Sequence, residues 1–301
     1  MSIRRTHFAG TWYPTGNSLK KSIERYLKNA TSHTIHHYTQ GIICPHAGLV
    51  YSGPTMAYSW LPVRDNLARR NKQGQQIKRV FILGPSHQSY TTKCLLTGHS
   101  SWETPFGDVQ VDTKTNKELM KKAPKIFNKM GSNTDSNEHS LELQLPFLTY
   151  ILEASEIQIV PIMVGQLSSK SQKSVSQILQ EYFLDPHNFF IISTDFCHWG
   201  SNFDYQKTIK GVSPIWKSIE KIDRLGMDAI ETLQPNLFTK YLEKYENTIC
   251  GSVPLLLFMR SVDKEKFSLK FVHYEQSNKV EDKNDMSVSY AAGIFQKNEE
   301  N

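Results

Sequence analysis

Short apolar runs alternate with longer amphipathic segments along most of this chain. Four of the runs predict buried strands because each holds consecutive apolar residues, at 41–48, 79–88, 157–166 and 188–200. Each run ends in Gly, Pro or a hydrogen-bonding side chain, which is typical of parallel strands that reach the carboxyl edge of a sheet, where ligands bind. Weaker apolar runs at 93–98 and 108–112 predict two short antiparallel strands. Residues 268–277 and 287–296 predict the last strands of the sheet.

Helical spacing of apolar residues lies between these strands. In residues 17–30 one face carries Leu19, Ile23, Tyr26 and Leu27, and Ser18 is a candidate cap. The same spacing recurs at 139–152, 214–233 and 235–245, the last with a proline in its first turn. This alternation of strands and helices predicts an α/β fold.

The 301 residues fit a single domain, 1–301, since no linker divides the chain. Residues 66–79 are predicted to form a basic surface loop, and 296–301 a frayed tail. Three histidines in a polar tract, His33, His36 and His37, predict a solvated loop, with metal binding as the alternative.

The net charge is +6, and the excess basic residues are either scattered along the chain or located in the predicted basic loop. They do not form a continuous basic stripe, so the sequence does not predict nucleic-acid binding. Four cysteines without a disulfide framework indicate a reducing compartment. The start of the chain lacks an apolar signal core, and no segment approaches 18 apolar residues, so no integral membrane association is expected. These features predict a cytoplasmic location, with the nucleus as a further one.

Three histidines stand at predicted strand ends: His46, His87 and His198. Neutral imidazole is a good ligand for iron, copper, zinc and nickel, and three such rings at one sheet edge predict a metal site. Each ring alone could equally be satisfied by local hydrogen bonds. Asp195, three residues before His198, could ligate the metal, accept a ring N–H, or cap a turn.

Three further residues are candidates for a functional site: Cys250, Glu138 and His139. Cys250 precedes Gly251 and a helical segment, where the helix dipole would lower the pKa of its thiol; the alternative is a small buried apolar residue. Glu138 and His139 precede a leucine-rich helix and could both point into a pocket. Alternatively, Asn137 caps that helix and Glu138 only complements its dipole.

Eight motifs in order then establish a resemblance along nearly the whole chain. They are AGTWYP (9–14), PHAGLVYSG (45–53), FILGPSH (81–87), EHSLELQLPF (138–147), PIMVG (161–165), STDFCHWG (193–200), NTICG (247–251) and SVSYAAG (287–293). With these motifs the chain closely resembles the Memo family, named as mediators of cell motility.

The resemblance implies a fold like that of class III extradiol dioxygenases, which are non-haem iron enzymes. We therefore expect one three-layer α/β/α domain around a central, mostly parallel mixed sheet. By motif, the family's metal ligands fall on His46, His87 and Cys250, while Asp195 and His198 line the same pocket. As acid/base groups the candidates are Asp195, His198, Glu138 and His139.

The ligand set departs from the two histidines and one carboxylate of those dioxygenases. A thiolate makes the site softer and is itself oxidisable, which favours iron or copper and argues against ring cleavage. The sequence thus predicts a metal-binding redox protein linked by resemblance to cell motility and growth signalling. Two alternatives stay open: a non-catalytic signalling adaptor for peptides or phosphopeptides, and a dioxygenase or metal-dependent hydrolase. Metal identity, substrate, partners and oligomeric state are not determined at this level.

Overall fold

The computed structural model describes residues 2–31 and 39–298. The histidine tract with His33, His36 and His37 lies outside the described residues, as do residues 299–301 of the predicted tail.

Twelve strands form within the described ranges. They are β1 (Ile3–Arg4), β2 (Thr39–Cys44), β3 (Arg79–Pro85), β4 (Cys94–Leu96), β5 (Ser101–Trp102), β6 (Val109–Val111), β7 (Phe127–Lys129), β8 (Gln158–Val164), β9 (Asn188–Ser193), β10 (His198–Trp199), β11 (Phe267–Gln276) and β12 (Ser287–Lys297).

Ten α-helices accompany them within the same ranges. They are α1 (Gly16–Asn29), α2 (Leu49–Lys72), α3 (Thr113–Lys122), α4 (Ser132–Asn137), α5 (His139–Glu142), α6 (Leu145–Ile151), α7 (Ser169–Leu184), α8 (Ile215–Glu231), α9 (Pro235–Tyr245) and α10 (Ser252–Ser261). None of the described helices combines the length and apolar character needed to cross a membrane.

The strands form one mixed sheet in the order β1-β5-β6-β8-β3-β9-β2-β12-β10, with β11 paired to β12, and β4 to β7 and β8. The central strands β6, β8, β3, β9 and β2 run parallel, while β12 is antiparallel to β2. The predicted α/β fold with a mostly parallel mixed sheet is therefore confirmed.

Alternate residues of the central strands pack into two large clusters, one on each face of the sheet, which is why these strands are apolar throughout. On one face, Ile43 of β2 packs in the cluster that contains residues of α7, α8, α9 and α10. On the other face, Ile42 and Cys44 pack in the cluster that contains residues of α1, α2 and α6. Helices thus cover both faces, and the three layers are helix, sheet and helix.

The carboxyl ends of β2, β3 and β9 lie side by side. Cys44 of β2 is in register with Ser193 of β9, and Ile192 of β9 is in register with Leu83 of β3. Because the three strands are parallel and adjacent, the residues that follow them emerge at one edge of the sheet. This register brings the strand-end motifs together.

Several sequence-based boundaries are wrong. Residues 66–72 of the predicted basic loop form the end of α2, where three basic side chains complement the helix dipole. Arg70 turns inward and donates to the carbonyl oxygens of Thr39 and Pro186. The predicted tail begins too early, because residues 296 and 297 belong to β12 and pair with β11. Of the two short strands predicted to be antiparallel, β4 is antiparallel to β8, whereas β6 runs parallel to β8.

Candidate metal centre

Three distant segments deliver potential ligands to one point at the carboxyl edge of the sheet. His46 follows β2, His87 follows β3, and Cys250 lies just before α10. One ligand atom from each, two imidazole nitrogens and one Sγ, lie within 4.8 Å of one another. The His46 and His87 rings cross at 73°, with centroids 5.2 Å apart. Because nitrogen lone pairs lie in the ring planes, crossed rings can direct them at one ion.

Cys250 is held by the chain that follows β9. The Asp195 N–H donates to Cys250 Sγ at 3.2 Å, and Sγ lies 3.3 Å from His46 Nε2. The Gly251 N–H donates to Thr194 Oγ1 at 2.9 Å. A Cβ at position 251 would lie only 2.4 Å from Thr194 Cβ, so glycine is needed for this close approach. Backbone packing therefore fixes where the sulfur lies.

The thiol of Cys250 does not have the lowered pKa that its place before a helix predicts. Burial raises its pKa, the charge of Asp195 raises it further, and the hydrogen bonds from Asp195, Thr194 and Gly251 do not offset these effects. The metal-free thiol is therefore protonated at neutral pH. A bound cation would reverse this balance, because coordination deprotonates a thiol.

Glu138 holds both the ring and the main chain of His87. Its Oε1 lies 3.0 Å from His87 Nδ1, and its Oε2 accepts the His87 N–H at 2.7 Å. Burial alone would raise the pKa of Glu138, but these hydrogen bonds, the His87 charge and the Ser140 N–H lower it to about 2. The ionised carboxylate can only accept, so His87 Nδ1 carries a proton, and in the neutral ring the lone pair is on Nε2.

Glu138 also caps α5 by accepting the Ser140 N–H at 2.9 Å. The alternative cap, Asn137, instead donates to the Asn133 carbonyl oxygen. The sequence left open whether Glu138 acts at the helix terminus or points into a pocket, and in the structure Glu138 both caps α5 and contacts His87. Its acid/base role stays a prediction.

His139 belongs to a second group of potential ligands, with His87 and Glu138. The His139 and His87 rings are stacked at 4.3 Å with only 22° between their planes. Nearly parallel rings direct their lone pairs side by side, so this pair is poorly arranged to share one ion. Burial, followed by the charges of His46 and His87, lowers the pKa of His139 to about 3, which keeps the ring neutral.

Asp195 contacts both His46 and Cys250, and among the described residues neither Asp195 nor His198 enters either ligand group. That His198 lines the same pocket stays a prediction. Asp195 Oδ1 accepts the His46 N–H at 2.8 Å, so this carboxylate positions the main chain of His46. Burial raises the pKa of Asp195, against the opposing influence of His198. His198 Nδ1 lies 3.0 Å from the Phe196 carbonyl oxygen, which places the proton on Nδ1 and leaves Nε2 as an acceptor.

A cavity of about 470 Å³ opens beside the centre. Trp12, which contacts the His139 ring at 4.7 Å, and Ala47, which follows His46, both line it. Most of the remaining described lining is apolar or aromatic, and none of it is charged. Three of the eight motifs, AGTWYP, PHAGLVYSG and SVSYAAG, contribute residues to this lining.

Comparison with known proteins agrees with the eight motifs. The model of the family described as Memo-like protein matches residues 4–294. The chain belongs to the Memo family. This Memo protein is 38% identical over 303 residues to Protein MEMO1 of Danio rerio, covering 98% of each chain. It is 36% identical over 300 residues to Protein MEMO1 of Homo sapiens, covering 97% of each chain.

Further Memo relatives include the Protein memo-1 homolog of Caenorhabditis elegans, which is 38% identical over 300 residues, covering 97% of this chain and 82% of that protein. Among solved structures, an uncharacterized protein from Escherichia coli K12 aligns with a TM-score of 0.47 and 12% identity, covering 84% of this chain and 99% of that one.

Proposed function

We propose that this Memo protein binds one iron or copper ion through His46, His87 and Cys250 and uses it in redox chemistry. The observation that carries the proposal is the convergence of the three ligand atoms within 4.8 Å, from segments far apart in the chain. A group of two nitrogens and one sulfur suits a soft or borderline transition metal and does not suit calcium or magnesium. When bound, such an ion would supply electron transfer.

The surrounding residues support this role in different ways. Glu138 orients His87, while the Asp195 N–H and Gly251 fix the position of the sulfur. Asp195 and His198 are the candidates for moving protons beside the ion, because Asp195 hydrogen-bonds to His46 and Cys250 and His198 stands three residues further along the same motif. The cytoplasm is the proposed location, and all four cysteines are free.

Elemental analysis of anaerobically purified protein tests the proposal. We expect near-stoichiometric iron or copper in the natural chain and its loss in His46→Ala and Cys250→Ser. Cys94→Ser is the matched control, because Cys94 is a buried free cysteine in β4, outside both ligand groups. Equal metal content in all four proteins would refute the proposal.

A signalling adaptor is the second candidate function, and the cavity beside the centre is the feature that favours it. Its lining offers apolar and aromatic contacts to a peptide, but no arginine or lysine for a phosphate. Titration of candidate peptides with and without metal separates the two functions, since an adaptor should bind equally in both states.

The third candidate, a dioxygenase or metal-dependent hydrolase, rests on Asp195, His198, Glu138 and His139 as acid/base groups around a metal. Oxygen uptake across a panel of catechols with iron-loaded protein tests the dioxygenase. No uptake at full metal loading would argue against it.

A further inference from the structure

His46 faces a buried hydrogen-bond network on the side away from Cys250. Its Nδ1 lies 2.8 Å from Ser193 Oγ, at the end of β9. Ser193 Oγ lies 2.6 Å from the Ser140 carbonyl oxygen and 2.9 Å from Gln144 Nε2. His46, Ser193 and Gln144 are almost completely buried, so water has little access to rearrange these bonds.

The orientation of the Gln144 amide follows from a second contact. Its nitrogen also lies 2.9 Å from the Pro45 carbonyl oxygen, which can only accept. If the amide were turned round, two oxygens would face each other at that distance. Gln144 therefore donates to Ser193 Oγ.

The number of protons available in this network determines which ring nitrogen of His46 is protonated. The single hydroxyl proton of Ser193 goes to the Ser140 carbonyl oxygen, since this oxygen cannot donate. Ser193 Oγ is left with lone pairs only, one of which accepts from Gln144. The atom that faces the remaining lone pair, His46 Nδ1, must carry a proton. The bare nitrogen of the neutral ring is then Nε2, the atom 3.3 Å from Cys250 Sγ.

We propose that Ser193, oriented by Gln144 and Ser140, is a positioning residue that fixes the Nδ1–H tautomer of His46 and so presents the Nε2 lone pair to a metal. The tautomer follows from the hydrogen bonds alone, whereas its use in metal binding rests on the proposed function. The two histidines of the centre thus reach the same tautomer by different means. His87 donates to the carboxylate of Glu138, and His46 donates to a neutral hydroxyl whose own proton is committed elsewhere.

Nitrogen-15 NMR of the metal-free, full-length protein at neutral pH tests the tautomer directly, with the His46 signals assigned by their loss in His46→Gln. We expect Nδ1–H in the natural chain and a gain of the Nε2–H form in Ser193→Ala. Ser59→Ala is the matched control, because Ser59 is also buried and donates to a backbone carbonyl oxygen, but does not contact His46. It should leave the tautomer unchanged.

Metal affinity provides the second readout. Loss of a residue that orients a ligand histidine typically weakens metal binding about 10–100-fold, which we expect for Ser193→Ala but not for Ser59→Ala. An Nε2–H tautomer in the natural chain would overturn the proposal, and so would a Ser193→Ala protein with unchanged tautomer and affinity. If the tautomer behaves as expected but the natural chain binds no iron or copper, the proposed function fails and the tautomer assignment stands.

Discussion

His87 and His139 lie in contact, yet their ring nitrogens are placed for different roles. His87 Nδ1 faces the carboxylate of Glu138, which leaves Nε2 for an ion shared with His46 and Cys250. His139 stacks on His87 and has no ligand atom in that group. His139 therefore lies beside the ligand group without belonging to it, and its ring is turned nearly parallel to that of His87.

Alanine substitution of His87 and of His139 should therefore affect metal binding differently. We expect His87→Ala to abolish high-affinity iron or copper binding. His139 only stacks on His87, so we expect His139→Ala to weaken binding by less than the about 10–100-fold that loss of a residue orienting a ligand causes. Isothermal titration of anaerobic protein measures both affinities. Equal losses in the two variants would mean that His139 is itself a ligand.

The sequence could predict which residues form the centre but not their protonation states. His46, His87 and Cys250 stand in motifs at strand ends or before a helix, so local pattern and resemblance were sufficient. Burial and the charge of Asp195 raise the pKa of Cys250, whereas hydrogen bonds from His87 lower the pKa of Glu138 against the effect of its burial. Asp195 and His87 are each more than fifty residues away from the group they influence. These partners are known only once the strands are in register.

Among the elements, the turn into α10 is the most tightly constrained part of the centre. Adding a Cβ at Gly251 would bring it within 2.4 Å of Thr194 Cβ and 2.8 Å of the Ser193 carbonyl oxygen. The turn and the end of β9 therefore pack with no space between them, and Cys250 lies in that turn.

We expect Gly251→Ala to push the turn outward and weaken metal binding at least tenfold, the lower end of the effect of misplacing a ligand. Gly131→Ala is the control, because its Cβ would meet nothing within 4 Å and surface changes of this kind usually alter stability by less than about 0.5 kcal/mol. Metal titration and urea unfolding of both variants provide the measurement. Normal affinity in Gly251→Ala would show that the turn does not position the thiol.

Helix α8 is joined to β11 through a buried carboxylate, Asp223. Its oxygens accept from Tyr274 Oη at 2.8 Å, from Asn247 Nδ2 at 2.8 Å and from the Cys197 N–H at 3.3 Å. Burial raises the pKa of Asp223 from 3.8 to about 6 despite these donors. The folded chain therefore keeps the Asp223 proton to a higher pH than the unfolded chain.

This pKa shift contributes stability that is present below pH 3.8 and is lost as the pH rises through about 6. At 1.36 kcal/mol per pKa unit, the loss is about 3 kcal/mol. We expect the free energy of unfolding of Asp223→Asn, relative to the natural chain, to rise by about this amount between pH 4 and pH 7. Urea unfolding at several pH values measures the difference, and a flat difference would contradict the assigned pKa.

The central strands were predicted because each is a run of apolar residues, whereas helices α2, α3, α4 and α7 were not predicted. Helix α2 contains Pro54 and Pro62, which normally interrupt a helix, and it is buried along much of its length, so no clear apolar stripe marks it. Helix α3 has a polar composition with few apolar residues, so its helical state depends on packing that local sequence does not contain. Helix α7 differs, because Val175, Leu179 and Phe183 stand at helical spacing and local sequence would have been sufficient to predict it.

At the scale of the whole molecule, the amino-terminal segment clamps the part of the chain that carries Glu138 and His139. Arg4 of β1 is buried, lies over the Trp102 ring at 4.3 Å, and pairs with Asp135 at 3.2 Å and Glu142 at 2.6 Å. Tyr13 Oη also donates to Glu142. The first strand is therefore tied to the helices α4 and α5 on either side of Glu138.

Loss of the Arg4 side chain would leave two buried carboxylates without their cation. We expect Arg4→Ala to lower the free energy of unfolding by about 3–5 kcal/mol, the usual cost of breaking a buried ion pair. Arg5→Ala is the matched control, because the Arg5–Glu103 pair is exposed and such pairs contribute less than about 1 kcal/mol. Urea unfolding at neutral pH measures both, and similar losses would contradict a clamping role for Arg4.

The centre depends on the complete fold, since His46 and Cys250 are 204 residues apart and meet only when β2, β9 and α10 are assembled. X-ray absorption spectroscopy of the protein loaded anaerobically with iron or copper tests this central claim most directly. We expect a first coordination shell with one sulfur and two imidazole nitrogens, and loss of the sulfur scattering in Cys250→Ser. A shell of nitrogen and oxygen alone in the natural chain, or sulfur scattering that persists in Cys250→Ser, would contradict it.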